Sequence, residues 1–161
     1  DHVILLGYGD LTEPLLEELR DHPLVIVTRN QDIAAELRRR DFNVQQGDPS
    51  NEDVLRSVGV ETARAVVAAT NQDGEDALAI LTAHQLNPDL RIVGAATDRE
   101  NVEKLRRAGA ETVISPQAIG AHLLVQSALG DCGVEALADR ILGDSTPASD
   151  TAPEESDEPD A

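Results

Sequence analysis

Val3-Ile4-Leu5-Leu6-Gly7-Tyr8-Gly9-Asp10-Leu11-Thr12 is the stretch on which the reading of this chain turns. Four apolar residues without a polar interruption read as a strand buried on both faces, as in parallel sheets. Gly7 and Gly9 then make a tight turn, and Glu13-Pro14 opens a helix with Leu11, Leu15, Leu16 and Leu19 on one face. A strand, a glycine turn and a helix N-terminus in succession favour an anion, because free backbone N–H groups and the helix dipole converge there. Gly7, Tyr8, Gly9, Asp10, Leu11 and Thr12 are therefore the expected phosphate turn. Thr12 stands where the glycine fingerprint has its third glycine.

Outward from this turn, strand and helix patterns alternate regularly. Apolar runs at 3–6, 24–27, 44–46, 65–69, 91–95 and 112–114 predict six strands. Helical patterns fall between them at 13–20, 32–40, 52–58, 76–85 and 101–108. Ser50-x-x-Asp53 and Thr97-x-x-Glu100 read as capping boxes, and Ser115-Pro116 as a cap before a first-turn proline. Gly59 and Gly109 fall where helices end in a left-handed residue. Glu36/Arg40, Glu100/Lys104 and Glu103/Arg107 are spaced as i, i+4 pairs. The alternation implies βαβ units and an α/β fold: a Rossmann-like, doubly wound, six-stranded parallel sheet of order 3-2-1-4-5-6. Two more helices follow, at 116–129 and 134–142. The division expected is a lobe over 1–115, helices over 116–142 and an acidic disordered tail over 143–161.

Composition narrows the function. The 161 residues carry 31 acids against 13 bases, a net charge of −18, and only Tyr8 and Phe42 are aromatic. Seven of the acids lie in the last eighteen residues, which hold no base. Nucleic acid is excluded as a partner, since it needs a cationic footprint with stacking aromatics. Such acidity favours solubility and suits a high-salt cytoplasm of the kind halophiles maintain. Cys132 is the one cysteine, which fits a reducing compartment. His2, His22, His84 and His122 have no metal-ligand spacing with one another or with Cys132, so no metal is expected. No segment reaches the apolar length of a membrane span. Asp1 stands directly before a buried strand, so the chain reads as a piece of something longer. The helix holding Ala77-Leu78-Ala79-Ile80-Leu81-Thr82-Ala83 is apolar nearly all round, which implies burial on two sides and a homodimer face.

Taken in order, several stretches resemble one family: His2-Val3-Ile4-Leu5-Leu6-Gly7-Tyr8-Gly9, Gly47-Asp48-Pro49, Ala63-Arg64-Ala65-Val66-Val67, Asn87-Pro88-Asp89-Leu90-Arg91-Ile92-Val93, the run Glu100 to Ala110, and Val113-Ile114-Ser115-Pro116. The resemblance is to the RCK domain (regulator of K⁺ conductance, also KTN or TrkA-N) and covers residues 2 to about 129. It implies a regulatory domain on the cytoplasmic side of the cell membrane, attached to a potassium channel or transporter membrane domain. Such domains form homodimers or rings and convert nucleotide binding into gating. The helix after Ser115-Pro116 would be the crossover helix that swaps onto the partner, and the acidic segment is expected to stand in place of the family's second lobe.

The resemblance and the fold together give the expected site. The ligand is an adenine nucleotide: NAD(H), NADP(H), ATP, ADP or AMP. Its phosphates would lie at Gly7–Thr12, although the carboxylate of Asp10 repels them and the Thr12 hydroxyl would have to donate. Thr28, Arg29 and Asn30 end the second strand. Thr28 replaces the acidic residue that holds a ribose diol, and Arg29 beside it suits a 2′-phosphate. Gly47, Asp48 and Pro49 would flank the base. Ala69, Thr70, Asn71 and Ala95 lie on the carboxyl edge where such sheets bind ligands, and Thr70 reads equally as a helix cap. The calcium-binding branch of the family places carboxylates at positions aligned with Ala69, Gly94 and Ala96, which offer a cation no oxygen. No catalytic residue is assigned. The alternatives are a ligand-free dimerisation scaffold and an NAD(P)-dependent oxidoreductase. A dehydrogenase, however, needs a substrate domain and an acid/base group, and the segment after the last strand holds only His122 and Cys132.

Overall fold

The computed structural model describes residues 1–130 together with Gly133, Ala136, Leu137 and Asp139. The tail at 143–161, and most of the helix expected at 134–142, lie outside the described residues. Residues 1–121 form one compact unit, and the described residues from His122 onward fall outside it.

Thirteen elements follow in order: β1 (Val3–Leu6), α1 (Thr12–Glu18), β2 (Leu24–Thr28), α2 (Gln31–Arg39), β3 (Val44–Gln46), α3 (Glu52–Ser57), β4 (Ala65–Ala68), α4 (Asp73–Leu86), β5 (Arg91–Ala95), a single 3-10 turn (Arg99–Asn101), α5 (Val102–Ala108), β6 (Thr112–Ile114) and α6 (Pro116–Ala128). All five strand pairings are parallel, in the order β3-β2-β1-β4-β5-β6. β1 is central, with Leu5 opposite Ile26 of β2 and Val67 of β4. The order reverses beside it, and a crevice opens there at the carboxyl ends of the strands.

The two-residue period of the strands divides the core in two. Ile4 and Leu6 point to the face covered by Leu55 of α3, Ile80 and Ala83 of α4 and Leu105 of α5. Leu5 points to the other face, against Leu16 of α1 and Ala34 and Leu37 of α2. Burying each large aliphatic side chain in these layers is favourable by about 1.5–3 kcal/mol.

Several local expectations are corrected. Asn51, not Ser50, caps α3 by accepting from the Asp53 and Val54 N–H groups. Ser50 instead donates to Asp48. Asp98, not Thr97, caps the 3-10 turn through the Glu100 N–H, because Thr97 is held by Asp73. Among the three i, i+4 pairs, Glu103–Arg107 forms at 3.7 Å. Arg40 turns away from Glu36 to Glu13, and Lys104 donates to Asn101. α4 begins at Asp73, three residues earlier than the helix expected over 76–85, which alters the reading of Asp76 below. Gly109, which ends α5, has φ +127°, and a Cβ there would lie 2.6 Å from the His84 Cβ. No helix among the described residues is long and apolar enough to cross a membrane.

Candidate functional site

The turn after β1 meets the end of β4 at close quarters. Gly7 has φ +81°, and the methyl group of Thr70 occupies the space a Cβ would need. A Cβ on Gly9 would stand 2.9 Å from the Ala69 carbonyl oxygen and 2.9 Å from the Asn71 side chain. Both glycines are thus required by close approach, as well as by the turn. Two turn amides are engaged from within: the Gly9 N–H donates to Thr12 Oγ1 at 2.8 Å and the Asp10 N–H to Asn71 Oδ1 at 3.1 Å. Thr12 is thereby engaged within the turn. Its hydroxyl is buried beneath the turn as a structural acceptor, because Thr12 is the first residue of α1 and packs inward.

A cleft of about 290 Å³ opens between this turn, the ends of β2 and β4, and the first turns of α4. Of the expected residues, Gly7, Tyr8, Thr28, Arg29, Asn30, Pro49, Thr70 and Asn71 line it. Gly9, Asp10, Leu11, Thr12, Gly47, Asp48, Ala69 and Ala95 do not. Asp10 is exposed, the Gly47 N–H is bonded to the Thr28 carbonyl, and Ala95 sits on β5 away from the cleft. Leu6, Ile33, Ser50, Gln72, Glu75, Asp76 and Ala79 complete the lining and were not expected.

Arg29 is the cation of this lining, and two carboxylates hold it: Asp48 at 2.7 Å and Glu75 at 3.0 Å. Burial works to raise the pKa of Asp48, but hydrogen bonds from Arg29 and Ser50 outweigh it and hold the carboxyl below its usual range. Arg29 is therefore matched by two carboxylates within the protein. Thr28 is buried, and its hydroxyl oxygen accepts from the Asn30 N–H. On the opposite wall, the Tyr8 hydroxyl donates to Glu13 at 2.8 Å, and Arg40 grips both Glu13 oxygens at 2.8 and 2.9 Å. These two partners, Arg40 first, lower the Glu13 pKa to about 2. Arg40 also lies 5.2 Å over the ring of Phe42.

Two buried carboxylates enter on α4 in opposite circumstances. Asp73 accepts from the Thr97 N–H and hydroxyl, the Asp98 N–H and the Asn101 amide. Burial raises its pKa, and these donors more than reverse the effect. Asp76, only 1% exposed, accepts from Thr70 alone, from its hydroxyl at 2.8 Å and its N–H at 3.1 Å. Burial pushes it up to about 6. Thr70 thus serves Asp76 instead of capping α4. A signal for Asp76 exists in the sequence. Once α4 starts at Asp73, Asp76 shares a face with Ala79, Ile80 and Ala83, all buried. Among the described residues, no three metal-ligating side chains converge.

A glycine turn in close contact with the next strand, at the reversal of a 3-2-1-4-5-6 parallel sheet, defines a domain of the Rossmann class. The chain belongs to the TrkA-N domain family, whose profile matches residues 3–116. Potassium channel protein 1 of Methanocaldococcus jannaschii is 29% identical over 139 residues, which are 84% of this chain and 42% of that protein. Among solved structures, the GsuK channel bound to NAD superposes with a TM-score of 0.70 at 32% identity, over 76% of this chain and 23% of that one. GsuK bound to ADP gives 0.72 at 27% identity, over 97% and 47%. The chain spans less than half the length of the curated relatives it matches.

Proposed function

We propose that this chain is the nucleotide-binding regulatory domain of a potassium channel or transporter, on the cytoplasmic side of the membrane. It turns occupancy of the cleft into a change of angle between partnered domains. The observation that carries the reading is the close approach of Gly7 and Gly9 to Thr70, Ala69 and Asn71 at the switch point. The complexes of GsuK with NAD and with ADP support the choice of ligand. An adenine nucleotide sits with its phosphates beside the glycine turn, its ribose toward Thr28 and Arg29, and its base toward Asp48 and Pro49. The titratable side chains lining the cleft are Tyr8, Arg29, Glu75 and Asp76. The self-satisfied Arg29 and turn amides favour a second reading, a scaffold without ligand.

Calorimetry separates the two. NAD and ADP are expected to bind, and NADPH no more tightly than NAD, because a 2′-phosphate would have to break two ion pairs to reach Arg29. Gly9→Ala is expected to weaken binding at least tenfold by pressing a methyl group on the Ala69 carbonyl. If neither NAD, ADP, ATP nor AMP binds below about millimolar, the scaffold reading replaces the first.

The partner we infer is a second copy of the chain. Leu78 and Leu81 of α4 are 57% and 40% exposed, and Ile119, Leu124 and Val125 of α6 are exposed as well. Covering each large side chain is favourable by roughly 1.5–3 kcal/mol before the entropy of association. Leu81→Asp is expected to shift the mass measured by light scattering toward the monomer, and an unchanged mass places the interface elsewhere.

A further inference from the structure

The floor of the cleft holds a carboxylate without a counter-cation. The three hydrogen bonds to Asp76 all come from Thr70, one from its hydroxyl and two from its N–H. The charged groups acting on it from its own helix are Asp73 and Glu75, both negative. Thr70 and Gln72, after β4, are uncharged. Across the cleft, after β2 and β3, Arg29 is spent on Asp48 and Glu75. After β1, the Tyr8 hydroxyl is turned to Glu13.

Thr70 stands at the centre of this arrangement. Its methyl group fills the space beside Gly7, and its hydroxyl donates to Asp76 while accepting from the Gln72 N–H at 3.1 Å. We propose that Asp76 and Thr70 form a proton-operated hydrogen-bond switch, so that an anionic nucleotide enters the cleft together with one proton. This rests on the nucleotide reading above and adds its regulation.

With Asp76 ionised, the Thr70 hydroxyl proton is committed to the carboxylate, and an arriving phosphate meets an uncompensated negative charge. With Asp76 protonated, its O–H donates to Thr70 Oγ1 and its other oxygen keeps the Thr70 N–H. Thr70 Oγ1 then accepts from both Asp76 and the Gln72 N–H, and its own proton leaves the carboxylate for the ligand, in competition with the Gln72 carbonyl oxygen 3.3 Å away. One proton removes the repulsion and supplies a donor. Burial places this titration near pH 6.

The test is calorimetry with NAD, whose phosphodiesters do not titrate between pH 5 and 8, in two buffers of different ionisation enthalpy. For a group titrating near pH 6, wild-type affinity falls about tenfold from pH 5 to pH 7, and binding at pH 7 takes up about one proton. Asp76→Asn binds with the low-pH affinity at both values and takes up none. Thr70→Val, which keeps the methyl group and removes the hydroxyl, is weak at both. Equal wild-type affinity at pH 5 and pH 7 without proton uptake overturns the switch and leaves the nucleotide reading standing. So does a pH dependence that survives in Asp76→Asn. Absence of NAD binding at pH 5 in wild type and Asp76→Asn alike overturns both.

Discussion

At pH 8, Asp76→Asn is expected to raise the free energy of unfolding by about 3 kcal/mol, a stabilising change at a fully buried polar position. The reason is the cost of burying a charge that only Thr70 solvates. The carboxyl moves from an ordinary 3.8 up to about 6 on folding, and each unit is worth about 1.4 kcal/mol. A raised carboxylate pKa means that the folded state holds its proton more tightly than the unfolded state. The penalty is absent below pH 4, grows between pH 4 and 6, and is complete above 6. The gain in the variant therefore follows the same course. Urea denaturation at pH 8 and at pH 4, followed by far-ultraviolet circular dichroism, checks this. An equal gain at both values assigns the effect to packing rather than charge.

One turn of helix away, the same substitution is expected to act in reverse. Asp73→Asn should destabilise the fold by about 3 kcal/mol at pH 7, since it sets an amide where four donors converge and leaves buried N–H groups without an acceptor. Asp73 joins the start of α4 to the segment between β5 and α5, so its loss frees two layers at once. Its pKa is lowered on folding, so its contribution is present above about pH 4 and is lost as acid protonates it. The double variant with Asp76→Asn tests whether the two effects are independent. Because the Asp73 charge helps to raise the Asp76 pKa, the two are coupled, and the gain from Asp76→Asn is expected to be smaller in the Asp73→Asn background. Loss of thermal stability in Asp76→Asn together with a gain in Asp73→Asn would contradict both assignments.

How far these features are legible in the sequence follows from the range of the forces involved. The sheet order was readable because buried parallel strands need continuous apolar runs, and Val3–Leu6, Leu24–Thr28 and Arg91–Ala95 supply them. The glycine turn was readable because Gly7 and Gly9 answer a local backbone requirement. The fate of Arg29 was not. Its partners lie 19 and 46 residues away, and nothing local distinguishes a paired arginine from a free one. Thr12 misled for a related reason: a hydroxyl at the first helical position serves ligand or backbone equally well, and only its burial decides. Asp76 was taken for a helix start because the apolar run begins one residue after it.

The wall of the cleft has an optical consequence. Tyr8 is the single tyrosine of a chain without tryptophan, so the near-ultraviolet emission of the protein arises from one phenol. That phenol lines the cleft and shares its proton with Glu13. A carboxylate acceptor quenches tyrosine in its excited state, so the native chain is expected to be dim. Any ligand that draws the Tyr8 hydroxyl off Glu13 makes it brighter. The molecule thus carries its own lamp at the place where occupancy matters.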